Sequence, residues 1–362
     1  MTLKRRLFLG FLVGGGAALA VALPGCQSGG PTAKVVNLYT ARHYEADNQV
    51  YEGFFKKTGI KVNLVEAPAD KLIERIQSEG QNSPADVIVT VDAGNLVNTK
   101  NANLFQKLDD GQLNGAVPAN YRDNEGYWYG FTRRSRVILY NKALFKNAPE
   151  VIKTYEDLAS DVVKADGRKG ILVRSSGNVY NQSLVASILN TYGEEKTLAW
   201  AKGVVNNMAR QPEGNDTAQL KALAAGVGEL AISNTYYLAR LAKSSNPEER
   251  DIASKIGVIF PNQAGDPQSQ GRGSHFNISG GGIAKNAPNR DNAIAFLQYL
   301  ATPEAQAVFA SSNNEYPMVQ GVPVDSVLQG FGTFKEDTRN DAVTFGRKNG
   351  DALKVMNKAD WK

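Results

Sequence analysis

Val35-Val36-Asn37-Leu38-Tyr39, Val62-Asn63-Leu64-Val65 and Asp86-Val87-Ile88-Val89-Thr90-Val91 decide the fold. All three are short, apolar and rich in β-branched residues, as strands are. Between the first two, Glu45 to Thr58 carries Val50, Phe54 and Phe55 at helical spacing, and Gly59 follows as a helix stop. Between the second and third, Lys71 to Ser78 reads as another helix. A βαβαβ order predicts a parallel sheet with helices on its faces.

Outward from this unit the alternation breaks and resumes. Gln112 to Gly126 is rich in Asn and Gly and reads as a break, and Arg136-Val137-Ile138-Leu139-Tyr140-Asn141 as an extended strand crossing out of the first unit. Strand-like Gly170 to Val173, Glu229 to Ser233 and Ile256 to Phe260 then alternate with helical Asn178 to Tyr192, Glu194 to Asn207 and Asn234 to Ala242. Gly280-Gly281-Gly282 is expected to allow a close backbone approach at a hinge or turn, and Asn289 to Ala301 forms an amphipathic helix. The expected fold class is α/β with two lobes, each a mixed, mainly parallel sheet flanked by helices, joined by crossing hinge strands. The expected lobes are 34–134 plus about 262–312, and 135–261 plus about 313–362. Ligands of such folds bind in the cleft, at the carboxyl ends of strands.

The first residues read as an export signal. Lys4-Arg5-Arg6 precedes an apolar run from Leu7 to about Leu23, and Arg5-Arg6-Leu7-Phe8-Leu9 matches the twin-arginine pattern. Residues 1–26 are therefore expected to be a twin-arginine type signal peptide, and 27–33 a flexible tether. Leu23-Pro24-Gly25-Cys26 resembles a lipobox, with Cys26 as the lipidated residue, although Pro24 departs from the usual residue there. Cleavage of A-x-A type at Ala18-Leu19-Ala20 or Ala20-Val21-Ala22 is the alternative, so the product is expected in the periplasm, soluble or tethered through Cys26.

Composition excludes several classes. Cys26 is the one cysteine, so there is no intramolecular disulfide and no thiolate zinc site. Removing 26 of the 362 residues leaves 336, enough for two domains, and takes three positive charges from the formal +5 to leave +2. That near-neutral balance gives nucleic acid no footing as a partner. A hydrolase on this scaffold is poorly supported: His43 and His275 are the two imidazoles, and no G-x-S-x-G or H-E-x-x-H motif is present.

Tyrosines recur where a strand has ended and a helix begins: Tyr44 in Arg42-His43-Tyr44-Glu45, Tyr180 after Val173, and Tyr236-Tyr237 after Ile232-Ser233-Asn234-Thr235. A cluster of phenols with one imidazole suits a hard, highly charged cation. Phenol, with a pKa near ~10, is neutral in water at pH 7, and a bound metal ion inverts that. Fe³⁺ is acidic enough to hold phenolates, whereas zinc favours Cys, His and carboxylates and calcium favours carboxylate-rich loops. Four phenolates and a neutral imidazole around Fe³⁺ would carry net charge −1, and Arg42 and Arg210 are candidate counter-charges. The plain alternative is that these tyrosines only pack. A cleft for a small organic cation, such as thiamine or a polyamine, would also use aromatic rings. His275, in a Gly/Ser-rich stretch, reads as surface.

Residues 33–362 resemble the ferric-iron-binding periplasmic proteins of iron ABC importers, the cyanobacterial type in particular. The resemblance is carried by Leu38-Tyr39-Thr40-Ala41-Arg42-His43-Tyr44, Ala85-Asp86-Val87, Gly130-Phe131-Thr132-Arg133-Arg134-Ser135-Arg136-Val137-Ile138, Val173-Arg174-Ser175-Ser176, Gly214-Asn215-Asp216, Asn234-Thr235-Tyr236-Tyr237 and Asp360-Trp361-Lys362. It implies a non-enzymatic, monomeric binding protein of the two-lobed periplasmic type, with Fe³⁺ as cargo and a membrane permease as partner. It also implies a ligand set of Tyr44 from the first lobe and Tyr180, Tyr236 and Tyr237 from the second. His43 matches a family histidine that ligates in some members and turns away in others. Some members add a carboxylate and a borrowed anion such as carbonate, which the tyrosine-rich set here makes less necessary.

Overall fold

The computed structural model describes residues 34–263, 271–337 and 339–362. The expected signal, the tether and Cys26 lie outside the described residues. No described helix is long and apolar enough to cross a membrane.

The deciding stretch folds as read. Strand β1 (Val35–Thr40), helix α1 (Asp47–Thr58), β2 (Lys61–Glu66), α2 (Ala69–Glu79) and β3 (Val87–Val91) follow in that order. β1 pairs in parallel with both β2 and β3. Gly59 ends α1 at φ 70°, with its N–H donating to the Phe55 carbonyl, a left-handed cap that glycine adopts without Cβ strain. Val50 and Phe54 are buried, but Phe55 is 53% exposed. It stands about 100° around the helix from Phe54 and so leaves the apolar stripe.

Helices α3 (Ala93–Asn101) and α4 (Gly111–Ala116) lead to β4 (Tyr129–Asn141). The expected break at 112–126 thus holds a short helix, capped by the Asp110 side chain on the Leu113 N–H. β4 starts seven residues before the strand read from sequence, because Arg133, Arg134 and Arg136 hide the strand pattern. Next come α5 (Ala148–Val151), β5 (Ile171–Leu172), α6 (Val179–Tyr192), α7 (Glu194–Asn206), α8 (Asp216–Ala224), β6 (Leu230–Asn234), α9 (Thr235–Ala242), α10 (Pro247–Ser254) and β7 (Ile256–Ile259). The chain closes with β8 (Phe276–Ile283), α11 (Arg290–Leu300), α12 (Pro303–Asn313), β9 (Tyr316–Pro317), α13 (Ser326–Gly330), α14 (Ala342–Arg347) and α15 (Asn349–Lys358).

One strand serves two groups of partners. The first half of β4 pairs with β8, which continues the order β2-β1-β3-β8, and the second half pairs with β6 and β7. The sheet is mixed: β3, β4, β6, β7, β8 and β9 make the antiparallel pairs, and β5 joins β6 in parallel. β9 pairs with Thr132 and Arg133 in the first half of β4, so the chain beyond 313 also serves the first group of strands.

Gly280-Gly281-Gly282 lies inside β8, flanked by β3 and β4, rather than at a turn. The close approach is real: a Cβ on Gly281 would stand 2.4 Å from the Ile88 carbonyl oxygen, and one on Gly282 2.1 Å from that of Tyr127. His275, expected at the surface, is buried at 1% exposure and packs edge-on against Phe345. The Gly/Ser context suggested a loop, whereas the segment runs straight into β8.

Candidate metal centre

Three strand ends deliver the phenols. Tyr44 sits in the short link between β1 and α1, Tyr180 is the second residue of α6, and Tyr236 and Tyr237 follow Thr235 in α9 with no loop after β6. The Tyr44 hydroxyl donates to that of Tyr236 across 3.3 Å, and the Tyr236 hydroxyl donates to that of Tyr180 across 3.4 Å. The Tyr236 and Tyr237 rings lie 4.2 Å apart, inclined by 32°. Tyr180 and Tyr236 are buried, and Tyr44 and Tyr237 partly so. Among the described residues no cluster of three or more His, Cys, Asp or Glu is suited to a metal ion, which leaves oxygen from phenols as the concentrated donor.

The electrostatics are set by burial and by arginines. Burial first, and then the neighbouring phenols, push Tyr44 and Tyr236 well above the ordinary tyrosine value; Tyr237 is raised for the same reasons. Opposing this, the guanidinium of Arg42 stands 4.8 Å from the Tyr44 ring centroid and that of Arg134 5.1 Å from Tyr180. Arg240 lies 5.3 Å from Tyr44, 5.6 Å from Tyr236 and 6.0 Å from Tyr237. Tyr180, Tyr236 and Tyr237 also occupy the first turns of their helices, where backbone dipoles favour negative charge. Magnitudes decide the resting state. Ionising a phenol of pKa ~10 at pH 7 takes about 4 kcal/mol, and a cation–π contact returns roughly 0.5–2 kcal/mol. The free site therefore holds neutral phenols, and a bound cation must supply the rest.

A second set of charges fixes the walls. Asp216, at the start of α8, bridges Arg136 and Arg174, each at 2.7 Å. Arg136 also donates to Asn181 Oδ1 at 2.8 Å, which ties β4 to the helix bearing Tyr180.

Two expected members stand elsewhere. His43 is exposed, with its Nδ1 3.9 Å from Glu66 Oε2 on β2, whereas Tyr44 beside it is partly buried in the cluster. Arg210 pairs with Glu213 of its own loop at 2.6 Å and reaches Gln219 on α8 at 3.4 Å. The guanidiniums over the rings belong instead to Arg42, which the sequence reading named, and to Arg134, Arg136, Arg174 and Arg240, which it did not. The Arg133-Arg134-Ser135-Arg136 run held a usable signal: alternate side chains of a strand share a face, so Arg134 and Arg136 point together.

Residues 49–330 match the family model described as bacterial extracellular solute-binding protein. The chain belongs to that family. As a solute-binding protein it is 48% identical over 354 residues to Iron uptake protein A2 of Synechocystis, an alignment covering 97% of both chains. It is 31% identical over 285 residues to the Fe(3+)-binding periplasmic protein of Serratia marcescens, covering 79% of this chain and 78% of that one. Among solved structures it resembles Trichodesmium IdiA (FutA) in complex with iron and citrate, with TM-score 0.84 and 52% identity over 91% of this chain and all of that one. The solute-binding protein thus has the α/β periplasmic binding protein fold.

Proposed function

We propose that this solute-binding protein captures ferric iron through the phenolates of Tyr44, Tyr180, Tyr236 and Tyr237 and delivers it to the membrane permease of an ABC importer. It is a carrier, not an enzyme, and iron is its cargo. The observation that carries this reading is the chain of hydroxyl contacts Tyr44–Tyr236–Tyr180, assembled from three separate elements. The similarity to iron-uptake and Fe(3+)-binding proteins supports the same cargo.

Chemically, Fe³⁺ displaces the phenolic protons, and four phenolates leave the centre at net −1. Arg240 over the rings offsets that charge, while Arg42 and Arg134 face the rings already balanced by Asp47 and Glu315. Residues 34–134 with about 262–312 act as one lobe, and 135–261 with about 313–362 as the other. β4 is the shared element about which they close, consistent with its two groups of partners. The protein works in the periplasm, reached through the leader in residues 1–26. Purified apo-protein given Fe³⁺ is expected to gain a phenolate-to-iron charge-transfer band and to hold one iron per chain by metal analysis. Colourless protein that retains no iron would refute the proposal.

A further inference from the structure

We propose that Glu315 is a positioning residue for the iron centre: one carboxylate that holds Arg42 and Arg134 in place against Tyr44 and Tyr180. This rests on the tyrosine reading above.

Glu315 arrives by a sharp turn. Asn314 ends α12 in the left-handed region at φ 55°, a conformation asparagine tolerates better than most residues. The chain then enters β9, and Glu315 is left 1% exposed. Its Oε2 lies 2.8 Å from Arg42 Nη2. Its Oε1 accepts from Thr132 Oγ1 at 2.8 Å and from Arg42 Nη1 at 3.4 Å, and stands 4.0 Å from Arg134 Nη1.

The rest of Arg42 is held as firmly. Nε and Nη2 donate to Asp47 at 2.7 and 2.9 Å, and Nη1 donates to Thr132 at 3.2 Å. Guanidinium has five N–H donors in one plane, and these contacts fix that plane. The fixed plane packs on the Tyr44 ring at 4.8 Å and on Phe309 at 5.2 Å. Asp47 alone would neutralise Arg42. Glu315 supplies a further charge, matched to Arg134, whose hydrogen bond is to Ser279 Oγ at 3.0 Å. Buried ion pairs are weak sources of stability compared with apolar packing. Two such cations, each set on a different candidate ligand and both facing one carboxylate, point to orientation of the rings.

The test uses the full chain with Glu315→Gln, Glu315→Asp and Thr132→Val, read by Fe³⁺ titration in visible light, competition with a chelator, and apo melting temperature. Glu315→Gln is expected to shift the charge-transfer band and weaken iron binding about 10–100-fold, as loss of a ligand-orienting partner does. Glu315→Asp, which keeps the charge, is expected to recover most of that. Thr132→Val is expected to move both readouts in the same direction by less. Folded Glu315→Gln with the wild-type band and affinity overturns the inference, as does Glu315→Asp no better than Glu315→Gln. Should Glu315→Gln fail to fold, an unchanged band and affinity in Thr132→Val overturns it. A wild type without iron colour overturns this inference and the tyrosine reading together, whereas a coloured wild type with indifferent variants overturns this one alone.

Discussion

The hydroxyl of Tyr44 stands 3.3 Å from that of Tyr236, although 192 residues separate them in the chain. Both phenols are pushed well above the ordinary tyrosine value, chiefly by burial, so neither is ionised before metal arrives.

That relationship fixes the pH dependence of binding. The bound form carries fewer protons than the free form, so lowering pH opposes binding. The apparent Fe³⁺ affinity is expected to fall about tenfold per pH unit for each proton released. Affinity measured by chelator competition between pH 6 and 8 checks the sign, and a pH-stat titration counts the protons.

His43 faces Glu66 at the surface. His43→Gln is therefore expected to keep the iron colour with a loss in affinity of less than about tenfold. Tyr44→Phe, which removes a phenol from the cluster, is expected to cost at least 10–100-fold, a range seen even for partners that only orient ligands. Parallel titrations of the two variants decide the order.

Much of this was legible in the sequence, for physical reasons. Strands of Val and Ile, separated by periodic helices and glycine stops, announce an α/β chain, and the tyrosines at strand-to-helix junctions come together in the structure. The arginine cradle was legible only in part: Arg42 stands out beside Tyr44 and the alternation of Arg134 with Arg136 is readable, but what places them is not. Arg134 and Arg136 are buried inside β4, where composition argues for surface, and their positions depend on Glu315 and Asp216, which are far away in sequence. Arg210, a candidate counter-charge because it lies in a loop between helices, is engaged by Glu213, three residues on. His275 was misread because a run of small residues suits a buried strand as well as a loop.

Asp216→Asn leaves Arg136 and Arg174 without their shared carboxylate in a buried setting. Breaking such a pair from one side costs about 3–5 kcal/mol. Urea denaturation of the apo-protein is expected to show a loss of that size, with Arg136 no longer well placed to hold Asn181 on α6.

His275 is depressed well below the ordinary histidine value, by burial first and then by Arg272, Arg136 and Arg134. The unfolded chain takes up this proton near pH ~6.5 while the native chain does not, so stability rises with pH there and is lost as pH falls below that value. The wild type is expected to lose more melting temperature between pH 7.5 and 5.0 than His275→Leu does. Equal losses would remove His275 as the cause.

The central claim is that adjacent phenolates on α9 hold ferric iron. The most direct measurement is a visible-light Fe³⁺ titration of the wild type beside the Tyr236→Phe, Tyr237→Phe double variant. The account predicts a charge-transfer band that saturates at one iron per chain in the wild type, and a variant with little band and at least about a hundredfold weaker binding. A double variant with the same band and the same affinity would contradict it.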